Sequence, residues 1–476
     1  MASPGGHSEV LRRALLAGQI LVVVVVAAVW WSPALGFYFS QDDFPLLLTN
    51  HPGLVSPRSL LLTGAPNEYR PLTQHVFFWL NQVLFGLDPR GHHAATLVVH
   101  LGNAVLVGLL ARRWVASWAM MPAGLAFALH PVHFFEATWV SGINQSGCVL
   151  FMLASLLAFD GYLRSGRGWR LASALGAGGA ALLCKEDAVM LPVLATGLAL
   201  VRRPRLPAAR TAWAVGGFWA LLGAYLALRF GVVGLQVPSA GPYRFGLDRS
   251  LLASKASLYT RWLMLSWPFA ITLGGLFLVA IFACRESDWH PSPAAAIALL
   301  AAVPVSVAPT LLVPSSAGHY LSVASGVLAL AMAGVVRCVP ARWGQALAFA
   351  ALALAFGVGS LQERNRLLAS RDLSVPIPEK ARLCRTWVEG LRATGAAAKL
   401  GCAVVLRDAP LQDWERGWLA FLPMVAWQRP LPLSGVRVLL AGEATPAAPV
   451  KGCVATWSLT AAGVSFRGME ESPHRD

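Results

Sequence analysis

Along most of the chain, uncharged apolar runs alternate with short polar segments, and the polar segments are of two kinds that themselves alternate. One kind carries arginines; the other carries acidic, histidine and lysine motifs. A helix crossing a bilayer needs about 20 mostly apolar residues. Such runs must be helical, because lipid offers no water to satisfy backbone groups. The first run, Ala14 to Leu35, follows Arg12 and Arg13 and is too long for a signal-peptide core, so it is predicted to remain as the first span. The second, "HHAATLVVHLGNAVLVGLLARR", ends at Arg112 and Arg113. The third ends at "ALHPVHFFEATW", the fourth at "RSGRGWR", the fifth at "CKED" and the sixth at "RRPRLPAAR"; the seventh is "AWAVGGFWALLGAYLALRF". Four more fall near Pro268 to Cys284, Ala294 to Val313, Ser322 to Val336 and Leu347 to Ser360. Arginine groups then lie on every second loop, which places those loops and the N-terminus in the cytoplasm.

From residue 362 the pattern changes. "CAVVLRD", "VRVLLAG" and "CVATWSLTAAGVSFRG" read as strands, and "PEKARLCRTWVEGLRA" and "DWERGWLAFLPMVAW" as helices. The predicted architecture is an all-α polytopic membrane protein of about 11 transmembrane helices, covering residues 1–361 with a first outer loop at about 36–90. A small extracytoplasmic α/β domain follows over 362–476.

Composition agrees. Only 13% of residues are charged, against about a quarter in soluble domains. The net charge of +15 sits in short groups between apolar runs. That distribution orients spans rather than binding nucleic acid, which would need a basic face interleaved with aromatics. None of the seven cysteines forms a CxxC pair, so no zinc site is expected from them. Cys148, Cys184, Cys284 and Cys338 lie in or beside apolar runs and read as buried thiols. Cys402 and Cys453 are expected to pair in the outer domain, where the compartment is oxidising.

The topology gathers "QDDF", "NEYRP", "HPVHFFEATWVSGINQ", "CKED" and "PSSAGHY" on one face. Adjacent carboxylates such as Asp42 and Asp43 are costly where a span ends. They are either a solvated loop pair or a catalytic device. Moving a sugar from a lipid phosphate to a hydroxyl would use such a device: a carboxylate base for the acceptor proton and fixed cations for the departing phosphate. Arg70 and Lys185 supply cations on the same face. Plainer readings stand beside these: a mutual Lys185–Glu186 ion pair, Glu136 as a helix-start carboxylate, and Arg70 as the entry to an interfacial helix. His92 with His93, or His130 with His133, lacks a clear third metal ligand. His100 and Asn103, one turn apart, are expected to make interhelical hydrogen bonds.

These segments, in this order, resemble the GT-C superfamily of polyprenyl-phosphate-sugar-dependent glycosyltransferases. The likeness is strongest to bacterial relatives of the transmembrane O-mannosyltransferases with tetratricopeptide repeats, although no repeats follow here. The carrying pieces are "QDDF", "YRPLTQHVFFWLNQVLFGLDPRGHHAATLVVHLGNAVL", "FALHPVHFFEATWVSGINQ", "LLCKEDAVMLP" and "SAGHYLSVASG". The resemblance implies an inverting transferase in a bacterial inner membrane, acting at the extracytoplasmic face. It places the catalytic base at Asp42 or Asp43 and the donor phosphate at Arg70 and Lys185. It lines the cavity with Tyr69, His130, His133, Glu136, Asn144, Glu186, His319 and Tyr320. The implied partners are the bilayer, a polyprenyl-phosphate sugar as substrate and a protein, lipid or glycan acceptor, with neither cofactor nor divalent metal. Two departures stand out: Ile143, Asn144 and Gln145 occupy positions where relatives often carry an arginine and an aspartate, and His319 stands where an arginine often precedes the tyrosine. The first of them, the lost arginine and aspartate, supports the alternative of a catalytically inactive assembly protein. A lipid-linked glycan transporter is the other alternative, but neither internal repeats nor midplane helix breaks are visible.

Overall fold

The computed structural model describes residues 4–61, 68–202, 206–234, 248–283, 293–312, 314–339, 342–371, 377–394, 403–409, 416–427, 436–440 and 453–471. Helix α1 (Pro4–Trp31) is the first span, and its last residue, Trp31, donates its indole N–H to the Ala128 carbonyl at 2.8 Å. A 3₁₀ turn (Ser32–Gly36) and an extended stretch lead to α2 (Asp43–Thr49). A π-helical turn at Pro71–Val76 runs into α3 (Phe77–Phe85). The π turn forms where Pro71 enters without a backbone N–H to give.

Helix α4 (Pro89–Trp114) starts with Pro89 at its first position and the Asp88 side chain accepting from the Arg90 N–H at 3.0 Å. Then follow α5 (Met120–Ala128), α6 (Phe134–Thr138) and α7 (Ile143–Ser165). Gly166, at φ 65°, closes α7 in the left-handed conformation that a helix C-terminus favours. The rest of the helical body is α8 (Gly168–Leu182), α9 (Leu191–Arg202), α10 (Ala208–Val233), α11 (Arg249–Met264), α12 (Trp267–Ala283), α13 (Pro293–Leu311), α14 (Ser322–Cys338) and α15 (Arg342–Leu368).

Each predicted span coincides with a helix, but the lengths differ from expectation. Among the described residues six helices are long and apolar enough to cross a membrane, or seven if α11 and α12, which meet at 87°, form one broken span. Helices α5, α8 and α9 have 9, 15 and 12 residues, short of a full crossing. Helix α11 has no counterpart among the predicted spans because Arg249, Lys255 and Arg261 break its apolar pattern. Helices α4, α7 and α14 form the buried middle, while α1, α10 and α15 leave Leu21, Val25, Trp213, Trp343 and Leu347 exposed as an apolar outer surface.

The C-terminal part contains α16 (Ile377–Thr394), α17 (Arg416–Leu419), α18 (Leu422–Trp427) and strands β1 (Ala403–Ala409), β2 (Val436–Leu440), β3 (Cys453–Thr460) and β4 (Gly463–Glu471). The sheet order is β2-β1-β3-β4; β1 is parallel to both neighbours and β3–β4 is a hairpin. Helix α16 covers the sheet, with the Trp387 indole donating to the Thr460 carbonyl at 2.9 Å. The unit shares one apolar core with the first loop, in which Tyr38, Phe39, Phe44 and Leu47 pack with Trp387, Trp418, Leu422 and Trp457. Phe44 stacks on Trp418 with centroids 6.0 Å apart, and Arg385 donates to the Gly36 carbonyl at 2.8 Å.

Truncating Phe44 to Ala is expected to cost about 3–5 kcal/mol, because the ring is wholly buried between the two parts. Denaturation of the purified protein in detergent measures this. An unchanged midpoint would mean that the shared core carries no stability.

Cys148, Cys184 and Cys384 are buried and outside any disulfide. Cys338 is disulfide-bonded, contrary to its reading as a free thiol; pairing cannot be deduced from spacing. Cys402 and Cys284 lie outside the described residues.

Candidate functional site

The site is assembled on the first loop. Gln41 is held at φ 52°, a left-handed conformation unusual for a side chain other than glycine or asparagine. It starts the tight turn in which the Asp43 and Phe44 amides donate to the Ser40 and Gln41 carbonyls at 3.1 and 3.2 Å. The turn sends the two carboxylates to opposite environments. Asp43 is fully buried and accepts from the Ser40 amide at 2.9 Å, the Ser141 amide at 2.8 Å and the Ser141 hydroxyl at 2.5 Å. Trp139 adds a bond from its indole to the Ser40 carbonyl at 3.1 Å. Asp43 therefore ties the first loop to the "WVSG" turn. Burial still pushes its carboxyl up to about 7 against those hydrogen bonds.

Asp42 keeps an exposed side chain. Desolvation by the surrounding protein nevertheless raises its carboxyl to about 6, the negative charge of Glu68 adds to this, and Arg70 and Lys380 oppose it. Asp42 is therefore solvent-accessible while sharing its surroundings with Glu68, Arg70 and Lys380. Asp42 and Asp43, equivalent in sequence, are thus an accessible group and a structural one.

The "YRPLT" and "CKED" segments meet through backbone. The Leu72 amide donates to the Leu183 carbonyl at 3.2 Å and the Thr73 hydroxyl to the Cys184 carbonyl at 2.8 Å. That contact brings Arg70 Nε to 2.8 Å from Glu186 Oε2, and Arg70 Nη1 lies 3.2 Å from Glu68 Oε2. Burial opposes the ionised form of Glu186, but the charge of and hydrogen bond from Arg70 win, and its carboxyl lies below the usual range. Lys185 is 6% exposed. Its ammonium donates to Gln145 Oε1 at 2.5 Å, lies 3.4 Å from Asp187 Oδ2 and sits 4.6 Å above the Tyr320 ring. The adjacent Lys185 and Glu186 thus take different partners, Asp187 and Arg70, rather than pairing with each other. Tyr320 packs edge-on to His319 at 4.5 Å, and His319 to Phe135 at 5.8 Å.

Glu136 is fully buried; Ser322 donates to its Oε1, and His133 Nδ1 lies 3.3 Å from the same atom. Asn144 is half-buried at the start of α7. Two further predicted lining residues lie at the edges of this group, His130 with its ring centroid 6.5 Å from that of His133 and Tyr69 beside Arg70. Tyr69 packs on Tyr225 and donates to the Leu61 carbonyl at 2.8 Å. The His130 ring is buried, with Nε2 3.1 Å from the Leu263 carbonyl and Nδ1 accepting from the Val132 amide at 3.2 Å. His100 and Asn103 bridge helices as expected, to the Ala128 carbonyl at 3.1 Å and, by donation, to the Ser146 carbonyl at 2.8 Å.

Sequence reasoning missed Ser141, Gln145 and Lys380 as site residues. Ser141 was an unremarkable member of "VSG". Lys380 lies some 340 positions from Asp42 on an otherwise ordinary amphipathic helix, and is 2% exposed. Gly142 explains the close packing of the turn, since a Cβ there would lie 2.4 Å from the Phe135 carbonyl oxygen and 2.9 Å from Glu136 Cα. Gly142→Ala is expected to destabilise the protein by about 1–3 kcal/mol, read as a lowered melting temperature. An unaltered melt would show that the turn has room to move.

The protein is thus a polytopic helical membrane protein with a cluster of charged side chains where the "YRPLT" and "CKED" segments meet near the first loop. Comparison with known proteins carries this further. The crystal structure of ArnT from Cupriavidus metallidurans bound to undecaprenyl phosphate superposes over 93% of both chains with a TM-score of 0.55, at 14% sequence identity. Its apo structure gives a TM-score of 0.56 with the same coverage. In sequence, the chain is 35% identical over 138 residues to mouse protein O-mannosyl-transferase TMTC2 and 36% identical over 188 residues to Drosophila melanogaster protein O-mannosyl-transferase Tmtc2. These matches cover 27% and 34% of this chain but only 16% and 19% of the relatives. No protein-family profile matches the chain. The fold likeness and the partial sequence likeness agree with the GT-C resemblance carried by the motifs.

Proposed function

We propose that the protein is an inverting glycosyltransferase that moves a sugar from a polyprenyl-phosphate carrier to an acceptor hydroxyl at the outer membrane surface. The observation that carries this reading is the split of the acidic pair: Asp43 is consumed in structure, while Asp42 stays accessible with its carboxyl raised to about 6. A base with a pKa near the working pH is what proton transfer requires. Asp42 removes the acceptor proton as the acceptor oxygen bonds to the anomeric carbon. The bond from that carbon to the phosphate oxygen breaks on the opposite face. The electron pair stays with the phosphate, which becomes a free lipid phosphate. Arg70 and Lys185 meet the charge it gains. Glu68 and Glu186 hold the Arg70 guanidinium in place, and Gln145 and Tyr320 do the same for the Lys185 ammonium.

The O-mannosyl-transferase relatives and the undecaprenyl phosphate bound by ArnT support this choice of chemistry. In this reading the N-terminus is cytoplasmic, the C-terminal unit and the charged cluster face the extracytoplasmic side of a bacterial inner membrane, and the acceptor is a protein, lipid or glycan. The test is transfer of labelled sugar from synthetic polyprenyl-phosphate donors by the purified protein, with the anomeric configuration of the product read by NMR. Absence of transfer from every such donor, by protein that retains its fold, would leave the non-catalytic assembly role.

A further inference from the structure

One buried cluster has no part in that mechanism. His100 on α4, His133 before α6 and Glu136 on α6 are each fully buried, and one ligand atom from each lies within 4.8 Å of the others. The outer hydrogen bonds of both imidazoles fix their tautomers. His100 Nε2 lies 3.1 Å from the Ala128 carbonyl; a carbonyl only accepts, so the proton is on Nε2 and Nδ1 carries a lone pair. His133 Nε2 lies 2.9 Å from Ser325 Oγ, and that hydroxyl spends its proton on the Ser322 carbonyl at 2.8 Å. With the Ser325 proton so placed, His133 Nε2 is the donor and its Nδ1, 3.3 Å from Glu136 Oε1, carries a lone pair. Neither Nδ1, nor Glu136 Oε2, has a hydrogen-bond partner. Two imidazole lone pairs and a carboxylate converge where no donor stands between them. Such a set needs a metal cation or a shared proton at its centre.

We propose that His100, His133 and Glu136 bind one divalent transition metal of the zinc type. The donor set is two imidazoles and a carboxylate, which favours such metals over magnesium or calcium. Each histidine already has the outer partner on its other ring nitrogen that metal-bound histidines use to set tautomer and orientation. Neighbouring ligand atoms around tetrahedral zinc stand about 3.4 Å apart, so from within 4.8 Å the atoms close in by about 1.4 Å at most. Trp31, Phe127 and Phe134 wall the cluster, with the Phe127 and His133 ring centroids 4.1 Å apart. The metal is thus structural. It clamps α4 to the "HPVHFFE" turn, which Ser322 and Ser325 join to α14 and which leads directly into the Ser141 contact with Asp43.

The test uses full-length protein freed of any polyhistidine tag. Elemental analysis is expected to find about one zinc-type ion per chain. Chelation should lower the melting temperature by at least about 3 °C. Added zinc should restore it and magnesium should not. In His100→Ala and Glu136→Gln the bound metal should fall at least tenfold. X-ray absorption should report nitrogen and oxygen neighbours without sulfur. Metal-free wild-type protein whose melt ignores both chelator and zinc would overturn the proposal, and the cluster would then hold a proton. Equal metal in wild type and variants, or sulfur ligation, would also overturn it. Because wild type alone yields metal content and melting shift, variants that fail to fold leave the test decisive. None of these readouts depends on sugar transfer.

Discussion

Asp42→Asn is expected to lower sugar transfer about 100- to 10,000-fold while leaving the melting temperature nearly unchanged. The substitution keeps the volume, and the side chain is exposed, so little packing is lost. Asp43→Asn removes the same charge one residue later and is expected to fail differently. Its amide nitrogen would face one of the donors from Ser40 or Ser141, costing about 1–3 kcal/mol of stability. The two variants thus separate a base from a brace. The pH profile adds a second reading. With its carboxyl raised to about 6, Asp42 is protonated and idle below that value and ionised above it. The ratio kcat/KM should rise with pH through about 6 and then level off. Glu68, Arg70 and Lys380 face Asp42, so Glu68→Gln should move the limb to lower pH. A flat profile across this range, or equal loss in both asparagine variants with intact folding, would remove Asp42 as the base.

Lys185→Met should cost about 100- to 1,000-fold in kcat, the usual consequence of losing a fixed group that meets developing charge. Methionine retains the length of the stem but leaves Asp187, 3.4 Å from the ammonium, without its partner. Some loss of stability is therefore expected even if Lys185 has no chemical role. The double variant Lys185→Met with Asp187→Asn distinguishes the two causes. It should regain stability, since no unpaired charge remains, yet stay slow. Recovery of rate in the double variant would reduce Lys185 to a structural cation.

The helical body was legible because a membrane span must satisfy its backbone internally and face lipid with apolar side chains; both demands act on contiguous residues. Length was less legible. The run of α5 continues into the "LHPVHFF" loop, which is apolar because protein buries it, while α8 and α9, bounded by charged segments, are simply shorter than a full crossing. The bend between α11 and α12 was hidden because the charged residues of α11 interrupt its pattern. Strands β1 to β4 were visible from their period of two and their turn residues.

The site was legible as a set of motifs on one side of the chain, and the charge alternation that grouped them is a local property. Roles within the set were not. Nothing in "QDDF" distinguishes Asp42 from Asp43, since neighbours in sequence have the same local surroundings. The left-handed turn at Gln41 and the arrival of Ser141 from nearly 100 residues away bury one and expose the other. Likewise, adjacency offered a Lys185–Glu186 pair as one reading, while the contact between the "YRPLT" and "CKED" segments gave Glu186 to Arg70 and Lys185 to Gln145 and Asp187. His100 read as a helix-packing residue and His133 as a cavity-lining one, and only the meeting of α4 with the "HPVH" turn brings them together with Glu136. Sequence alone determined that the chain crosses a membrane many times, gathers its polar motifs at one face and ends in a small α/β unit, because these follow from solvent preference along contiguous segments. Tertiary structure decided which carboxylate is free, which cation has which partner and where acceptors converge, because protonation and pairing depend on atoms brought from distant parts of the chain.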